Sequence, residues 1–516
     1  MEDSRQPLLS QEGEHQNGNR TPTVNTSNSF STFVAGADDI PTINGPRDFF
    51  REFAKESKKL WFLAGPSIFT RICQYSLGAV TQTFAGQVGT LELAAVSVEN
   101  SVVAGFTFGI MLGMGSALET LCGQAFGAGQ IDMLGVYLQR SWVILGTTAS
   151  FLCLLYVFST NILKAIGQTE AISSAAGLFA LYMIPQLFAY AMNFPMAKFL
   201  QSQSKIMVMA AIAGSALVLH VIFSWLFMLK LGWGLAGAAA VLNAAWWFID
   251  ICQFIYITSG TCGRAWNGFS MKAFQNLWGF VRLSLASAVM ICLEVWYFMA
   301  LILFAGYLKN AEVSVAALSI CMNILGWTLM VAFGINIAIS VRVSNELGAG
   351  HPRAAKLSLL VAVLSSFIIG VMLSIILILT RHIYPSLFSS DSQVKDLVDQ
   401  LTPLLAACII INNIQPVLSG MAIGAGWQVA VAYVNIACYY IFGVPLGLIL
   451  GYKVDLGIKG IWLGMISGTV VQTIALTYMI YQTNWNKEAS IAEDRIRKWR
   501  GEDTNSKDND DKETLS

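Results

Sequence analysis

Charge is the scarcest commodity in this chain. Asp, Glu, Lys and Arg supply 12% of its 516 residues, against about 25% in an ordinary soluble domain. The deficit excludes a water-exposed surface for most of the sequence. What charge there is gathers at the ends. Residues 1–59 hold 7 basic and 9 acidic side chains, residues 484–516 hold the same numbers, and the 424 residues between them hold 17 and 13. No basic field is left for a nucleic acid, and none is expected as a partner. The 9 cysteines contain no CxxC pair, so no metal site or disulfide framework is expected, and they read as small buried side chains. The glycine-rich stretches Gly123–Gly129 and Gly348–Gly350 have no Lys-Ser/Thr after them, which excludes a phosphate loop. No cleavable leader is visible. The first 45 residues are polar and rich in Ser, Thr, Asn and Gly, so a disordered amino tail is expected.

Long apolar runs take the place of charge. Hydrophobic residues make up 55% of the chain, and its mean hydropathy is +0.59. Windows of about 20 apolar residues predict twelve membrane spans, at 60–84, 93–117, 137–160, 170–191, 206–228, 235–257, 281–305, 315–340, 357–380, 399–420, 431–450 and 458–481. The fold class expected is therefore an all-α polytopic membrane protein, with the lipid bilayer as its surroundings. An even number of spans puts both tails on one side. The clusters Arg51, Lys55, Lys58, Lys59 and Lys487, Arg495, Arg497, Lys498, Arg500 place that side in the cytoplasm. Arg140, Lys198 and Arg342 read as loop charges on the same side. The linker 258–280, with Trp266, Phe269, Phe274 and Trp278, reads either as an interfacial amphipathic segment or as a loop with aromatic anchors.

The chain repeats itself. Phe84-Ala85-Gly86 returns as Phe304-Ala305-Gly306, Leu93–Ser97 as Val315–Ser319, Gly127-Ala128-Gly129 as Gly348-Ala349-Gly350, and Gly234–Gly237 as Gly457–Gly460. The offset stays between 220 and 223 residues. Each repeat holds six spans, so both halves have the same orientation and form two lobes, 60–257 and 281–483, between tails 1–59 and 484–516. This is a transporter architecture with its substrate site between or within the lobes near mid-membrane.

Against this background a few polar residues stand out. Glu294 lies near the middle of Phe280–Gly306, where a charge costs about 2.5–3.5 kcal/mol on insertion scales. Removal from water favours the neutral form of an acid, so a carboxyl group in a cavity wetted alternately from each side can load and release a proton. At offset 220 its counterpart is the neutral Gln74, so one lobe titrates and the other does not. Arg71, one turn earlier, corresponds to Ile291. It reads as an attractor of anionic substrate, or as the partner of Asp250. Asn412, Asn413 and Gln415, just before Pro416, read as cavity lining or as amides that satisfy backbone groups freed by the proline. Gly127, Gly129, Gly348 and Gly350 read as tight turns that hinge. Glu99 and Asp250 read as interfacial, and His220 as a packed neutral ring.

The stretches Met114–Gly129 (MGSALETLCGQAFGAG) and Ala338–Gly350 (AISVRVSNELGAG) resemble the multidrug and toxic compound extrusion (MATE) family in its plant form. So do Cys292–Tyr297, Gln415–Gly420, Gly426–Gln428 and Thr483–Asn486. The resemblance covers about residues 50–490. It implies two six-helix lobes in a V, alternating access, and export of organic solutes in exchange for protons, with sodium the less favoured ion. It implies a coupling role for Glu294, a cavity position for Tyr297 and a gate at Glu119. Some relatives have Asp where this chain has Asn412, so a second coupling carboxylate is not expected. The function expected is thus a proton antiporter for secondary metabolites, drugs or toxic compounds. The alternative is a vacuolar anion or chloride channel or uniporter on the same fold, motivated by Arg71 and Asn412. No catalytic constellation is visible, so no enzyme is expected, and no cofactor beyond the coupling ion. A monomer is expected. Gln6-Pro7-Leu8-Leu9, similar to a dileucine sorting signal, favours the vacuolar membrane over the plasma membrane.

Overall fold

Long helices account for nearly all of the chain in the computed structural model, which describes residues 38–305, 311–389 and 391–500, all of them within the unit Thr32–Ser516. The first repeat contains α1 (Pro46–Val88), α2 (Thr90–Gly127), α3 (Ile131–Val157), α4 (Glu170–Ser202), α5 (Ile206–Lys230) and α6 (Gly234–Thr261). The second contains α7 (Leu277–Ala305), α8 (Ala311–Gly348), α9 (Pro352–Leu379), α10 (Ser392–Ala425), α11 (Gln428–Lys453) and α12 (Gly457–Gln482). A last helix, α13 (Trp485–Arg500), follows. All of α2–α12, eleven helices, are long and apolar enough to cross a membrane. The remaining span, α1, is less apolar because Arg71 and Gln74 interrupt its middle.

Local chemistry sets the helix ends. Pro46 and Pro352 open α1 and α9, where the missing N–H costs nothing. Asp391 caps α10 by accepting from Gln393 N at 2.8 Å. Gly129 and Gly350 adopt φ of +74° and +76° after α2 and α8, a conformation that glycine reaches without strain. The outer faces remain apolar and exposed, as with Leu364, Phe367, Ile368, Met372, Ile375 and Ile376 along α9. On a protein in water such a patch would be a liability; here it is the lipid face.

The repeat is visible in the backbone. Both α5 and α11 end in widened turns, Trp225–Lys230 and Ile449–Lys453, followed by left-handed Gly234 and Gly457. The two family-type motifs meet. A Cβ added to Gly127 would collide with the Asn345 backbone, and one added to Gly348 would collide with the backbone of Gln124. Around this crossing Thr120 donates to Ile423 O at 2.5 Å, Gln124 to Gly424 O at 3.1 Å, and Asn345 to Ser202 O at 3.1 Å. The lobes are thus sealed together at the end of the bundle from which both tails emerge. The helix α13 lies across the seal, with Arg495 donating to Gln124 Oε1 at 2.8 Å and to Ala425 O at 3.2 Å.

Several expectations need correction. Residues 46–59 belong to α1 rather than to a disordered tail, and Glu52 and Glu56 on it are buried. Residues 485–500 are helical, with Trp485, Ala492 and Ile496 buried. Because α4 and α8 run on to Ser202 and Gly348, Lys198 and Arg342 are buried helix residues and not loop charges. Arg342 donates to Glu56 Oε1 at 2.7 Å and to Glu346 at 2.5 Å. Within the linker 258–280, α6 runs on to Thr261 and α7 starts at Leu277, and between them lie two short turns, Gly263–Ala265 and Met271–Phe274, with Phe269, Phe274 and Trp278 exposed. It is a loop with aromatic anchors, held by Gln139, which donates to Gly268 O at 2.9 Å. The Gln6–Leu9 string lies outside the described residues.

The crossing allows a direct test. Gly348→Val must displace backbone, an overpacking penalty of about 1–3 kcal/mol, whereas Gly146→Ala on α3 meets nothing within 4 Å. In thermal melts of the purified protein, the first substitution is expected to lower the midpoint by several degrees and the second to leave it unchanged.

Candidate functional site

Pro66 and Pro416 lie inside α1 and α10, and each removes a backbone donor at that point. Just beyond Pro66 come Arg71 and Gln74, and just before Pro416 come Asn412 and Gln415. All four face one cavity of about 520 Å³, a volume suited to a small organic molecule. It lies between the two repeats. The first contributes Arg71, Gln74 and Tyr75 from α1, Asn100, Ser116 and Glu119 from α2, Gln186, Tyr190 and Lys198 from α4, and Trp246 from α6. The second contributes Glu294 and Phe298 from α7, Phe333 and Asn336 from α8, and Asn412, Gln415 and Ser419 from α10.

Glu294 is half-buried, with its open side toward the cavity. Its hydrogen-bonding neighbour is the Gln415 amide, and it forms no ion pair among the described residues. Gln415 also donates to Ser419 Oγ at 3.0 Å. The repeat-mates Gln74 and Glu294 share the cavity, and so do Arg71 and Ile291. Arg71 reaches Gln74 Oε1 at 3.4 Å. It does not pair with Asp250, which is buried and accepts from Asn193 at 2.9 Å. At the floor, one turn above the seal, Lys198 Nζ lies 2.5 Å from Glu119 Oε2, both side chains buried.

Not every expected residue reaches the cavity. The hydroxyl of Tyr297 donates to Met465 O at 2.9 Å, and its ring stacks on Tyr439 with centroids 4.2 Å apart. It therefore packs within the second lobe. Asn413 turns the other way, donating to Ile409 O at 2.8 Å and packing against Gly370. It supports backbone, whereas Asn412, which donates to Cys408 O at 3.0 Å, also faces the cavity. Gly127, Gly129, Gly348 and Gly350 belong to the seal and its turns. Glu99 is not interfacial: it is fully buried in a widened turn of α2, and neither oxygen has a hydrogen-bond partner among the described residues. His220 Nε2 lies 3.0 Å from Thr81 Oγ1, away from the cavity.

Lys198 is the residue that sequence reasoning missed. The repeat held the signal. At an offset of 221, Pro195 matches Pro416, and Lys198 then matches Ser419, both of them cavity residues. That match extends α4 to the length of α10 and draws Lys198 out of the loop.

The aromatic wall is built as a unit. Tyr190 stacks on Phe194 at 5.3 Å and meets Trp246 edge-on at 4.9 Å, and Phe108 meets Tyr190 edge-on at 5.5 Å. Such pairs contribute about 0.5–1.5 kcal/mol each beyond the area they bury, so the wall is a rigid, flat-faced surface.

The family profile described as MatE matches residues 66–226 and 286–449, one stretch within each lobe. The chain is 70% identical to Protein DETOXIFICATION 29 of Arabidopsis thaliana over 465 residues, covering 90% of this chain and 93% of that protein. It is 67% identical to Protein DETOXIFICATION 31 of the same plant over 475 residues, covering 92% and 91%. Among solved structures, the eukaryotic MATE transporter AtDTX14 superimposes with a TM-score of 0.82 at 35% identity, over 86% of this chain and 99% of that one.

The ion pair on the floor is testable through stability. Lys198→Met leaves Glu119 buried without its partner, which is expected to cost about 3–5 kcal/mol. The double change Lys198→Met with Glu119→Gln is expected to recover most of that loss in the same thermal melt.

Proposed function

Because the chain belongs to the MatE family, we propose that this membrane transporter is a proton antiporter that moves organic solutes by alternating access. The transporter class follows from the family, and no enzymatic step is involved. The proton coupling rests on one observation: Glu294, which forms no ion pair among the described residues, lines the same cavity as its neutral repeat-mate Gln74. A carboxyl group so placed changes charge when it binds a proton, and no counter-charge cancels the change. Protonated, it tolerates a closed, dry cavity wall. Deprotonated, it favours a state in which water reaches it. A ligand moves such an equilibrium only through its differential affinity for the two states. Proton and substrate act on the same cavity, so binding of one favours release of the other.

Gln415 and Asn412 support this reading as neutral amides that can donate to the carboxylate and accept from the protonated acid. The seal at Gly127 and Gly348 is the contact that must break when the cavity turns to the tail side, with Glu119 and Lys198 directly above it. The names of the Arabidopsis relatives, each a Protein DETOXIFICATION, favour toxic compounds as cargo, and we include secondary metabolites and drugs in the same class. We place both tails in the cytoplasm and the protein in the vacuolar membrane, acting as a monomer, with the proton as coupling ion in preference to sodium.

The test is substrate-dependent proton flux in proteoliposomes, with chloride current recorded on the same preparation. Glu294→Gln is expected to abolish proton-coupled flux, by at least tenfold. Large chloride currents indifferent to Glu294→Gln would replace the antiporter with an anion pathway.

A further inference from the structure

The floor of the cavity carries a charge imbalance that the coupling carboxylate does not explain. Arg71 from α1, Glu119 from α2 and Lys198 from α4 all line it. Lys198 and Glu119 form a close pair. All three line the same cavity, yet the hydrogen-bond partner of Arg71 among the described residues is the neutral Gln74. Two cations therefore face one carboxylate at a site enclosed by helices. Arg342, by contrast, a guanidinium buried between α1 and α8, has two carboxylates, Glu56 and Glu346. Among the described residues that line the cavity, α6, α8 and α10 present neutral side chains, and Glu294 on α7 forms no ion pair. A charge within a membrane protein faces either a partner or a ligand.

Beside this cluster is a water-sized pocket of about 20 Å³, which shares Arg71, Gln74 and Lys198 with the main cavity and adds Ser67 and Thr70. The hydroxyl of Ser67 is buried and lacks a hydrogen-bond partner among the described residues. A guanidinium fork, an ammonium and a spare hydroxyl are the donors that an oxyanion takes, and the planar fork of arginine fits a carboxylate with two parallel bonds. Above them stand flat rings, Tyr75, Phe108, Tyr190 and Trp246.

We propose that Arg71, with Lys198 and Ser67, forms an anion subsite that takes the carboxylate of an aromatic organic acid whose rings stack on the wall above. The assignment rests on the exporter reading and names its substrate class. A small inorganic anion would fill the subsite but leave the aromatic wall and most of the 520 Å³ unused.

The experiment measures equilibrium binding to the purified full chain in nanodiscs at neutral pH, without a proton gradient. The antiporter can therefore fail in the flux assay without touching this result, and the reverse also holds. The probes are naphthoate, its methyl ester and chloride. Naphthoate is expected to bind at least tenfold more tightly than the ester. Arg71→Gln is expected to remove that preference while leaving the ester within twofold, and Arg71→Lys to keep part of it. Equal binding of acid and ester by the wild type overturns the proposal, as does an equal loss of both in Arg71→Gln. Displacement of naphthoate by millimolar chloride would make the subsite one for small anions and overturn the organic-acid assignment. Should Arg71→Gln fail to fold, the comparison of acid, ester and chloride on the wild type still decides.

Discussion

Inside this bundle a charged side chain must find a partner or face a cavity, and that constraint places almost every ionisable group in the spans. Glu56, Arg342 and Glu346 form a closed cluster between α1 and α8. Glu119 and Lys198 join α2 to α4, and Asp250 takes the amide of Asn193. Pairs of this kind contribute little net stability compared with apolar packing, but losing one member is costly. They therefore act as registers that fix which helix faces which. Glu99 is the exception, fully enclosed with neither oxygen hydrogen-bonded among the described residues. Arg71 and Glu294 obey the constraint in its other form, since each turns toward the cavity from a different lobe.

The same constraint explains how far the sequence could be read. Spans with unbroken apolar runs, such as α9 and α5, were legible to within a few residues, because lipid contact demands a continuous outer face. Their inner ends were not. In α4 and α8 the last turns carry Lys198 and Arg342, residues that hydropathy assigns to water. Only a partner on another helix, Glu119 or Glu56, makes their burial tolerable. Partners distant in sequence leave no local trace. The start of α1 was hidden for the same reason, since Glu52 and Glu56 look like tail charges until α8 and α9 are packed beside them.

For the site, position along the helix was legible and direction was not. Glu294, Gln74, Arg71, Asn412 and Gln415 were found because polar residues in apolar runs are conspicuous, and the repeat paired Glu294 with Gln74. Tyr297 and Asn413 were misplaced by rotation about the helix axis. Tyr297 follows Glu294 by three residues, about 60° away around an α-helix, and at that offset packs against Tyr439 instead. Asn413 neighbours Asn412, about 100° away, and faces Gly370.

The repeat supplies a symmetric frame, and the polar residues break its symmetry. Gly127 and Gly348 contribute equivalent surfaces to one crossing, so the seal depends on both lobes at once. Packed interfaces of this kind are bistable, not continuously deformable. The groups that face the cavity are not equivalent, with Arg71 and Gln74 on one side and Ile291 and Glu294 on the other. A ligand that met identical groups in both lobes could bind well and still favour neither arrangement. Equal affinity for two states shifts nothing, however tight the binding. Unlike groups on a like frame allow two chemically different species to act on the same seal from separate walls. Exchange requires that condition, and divergence between duplicated halves is a direct way to meet it.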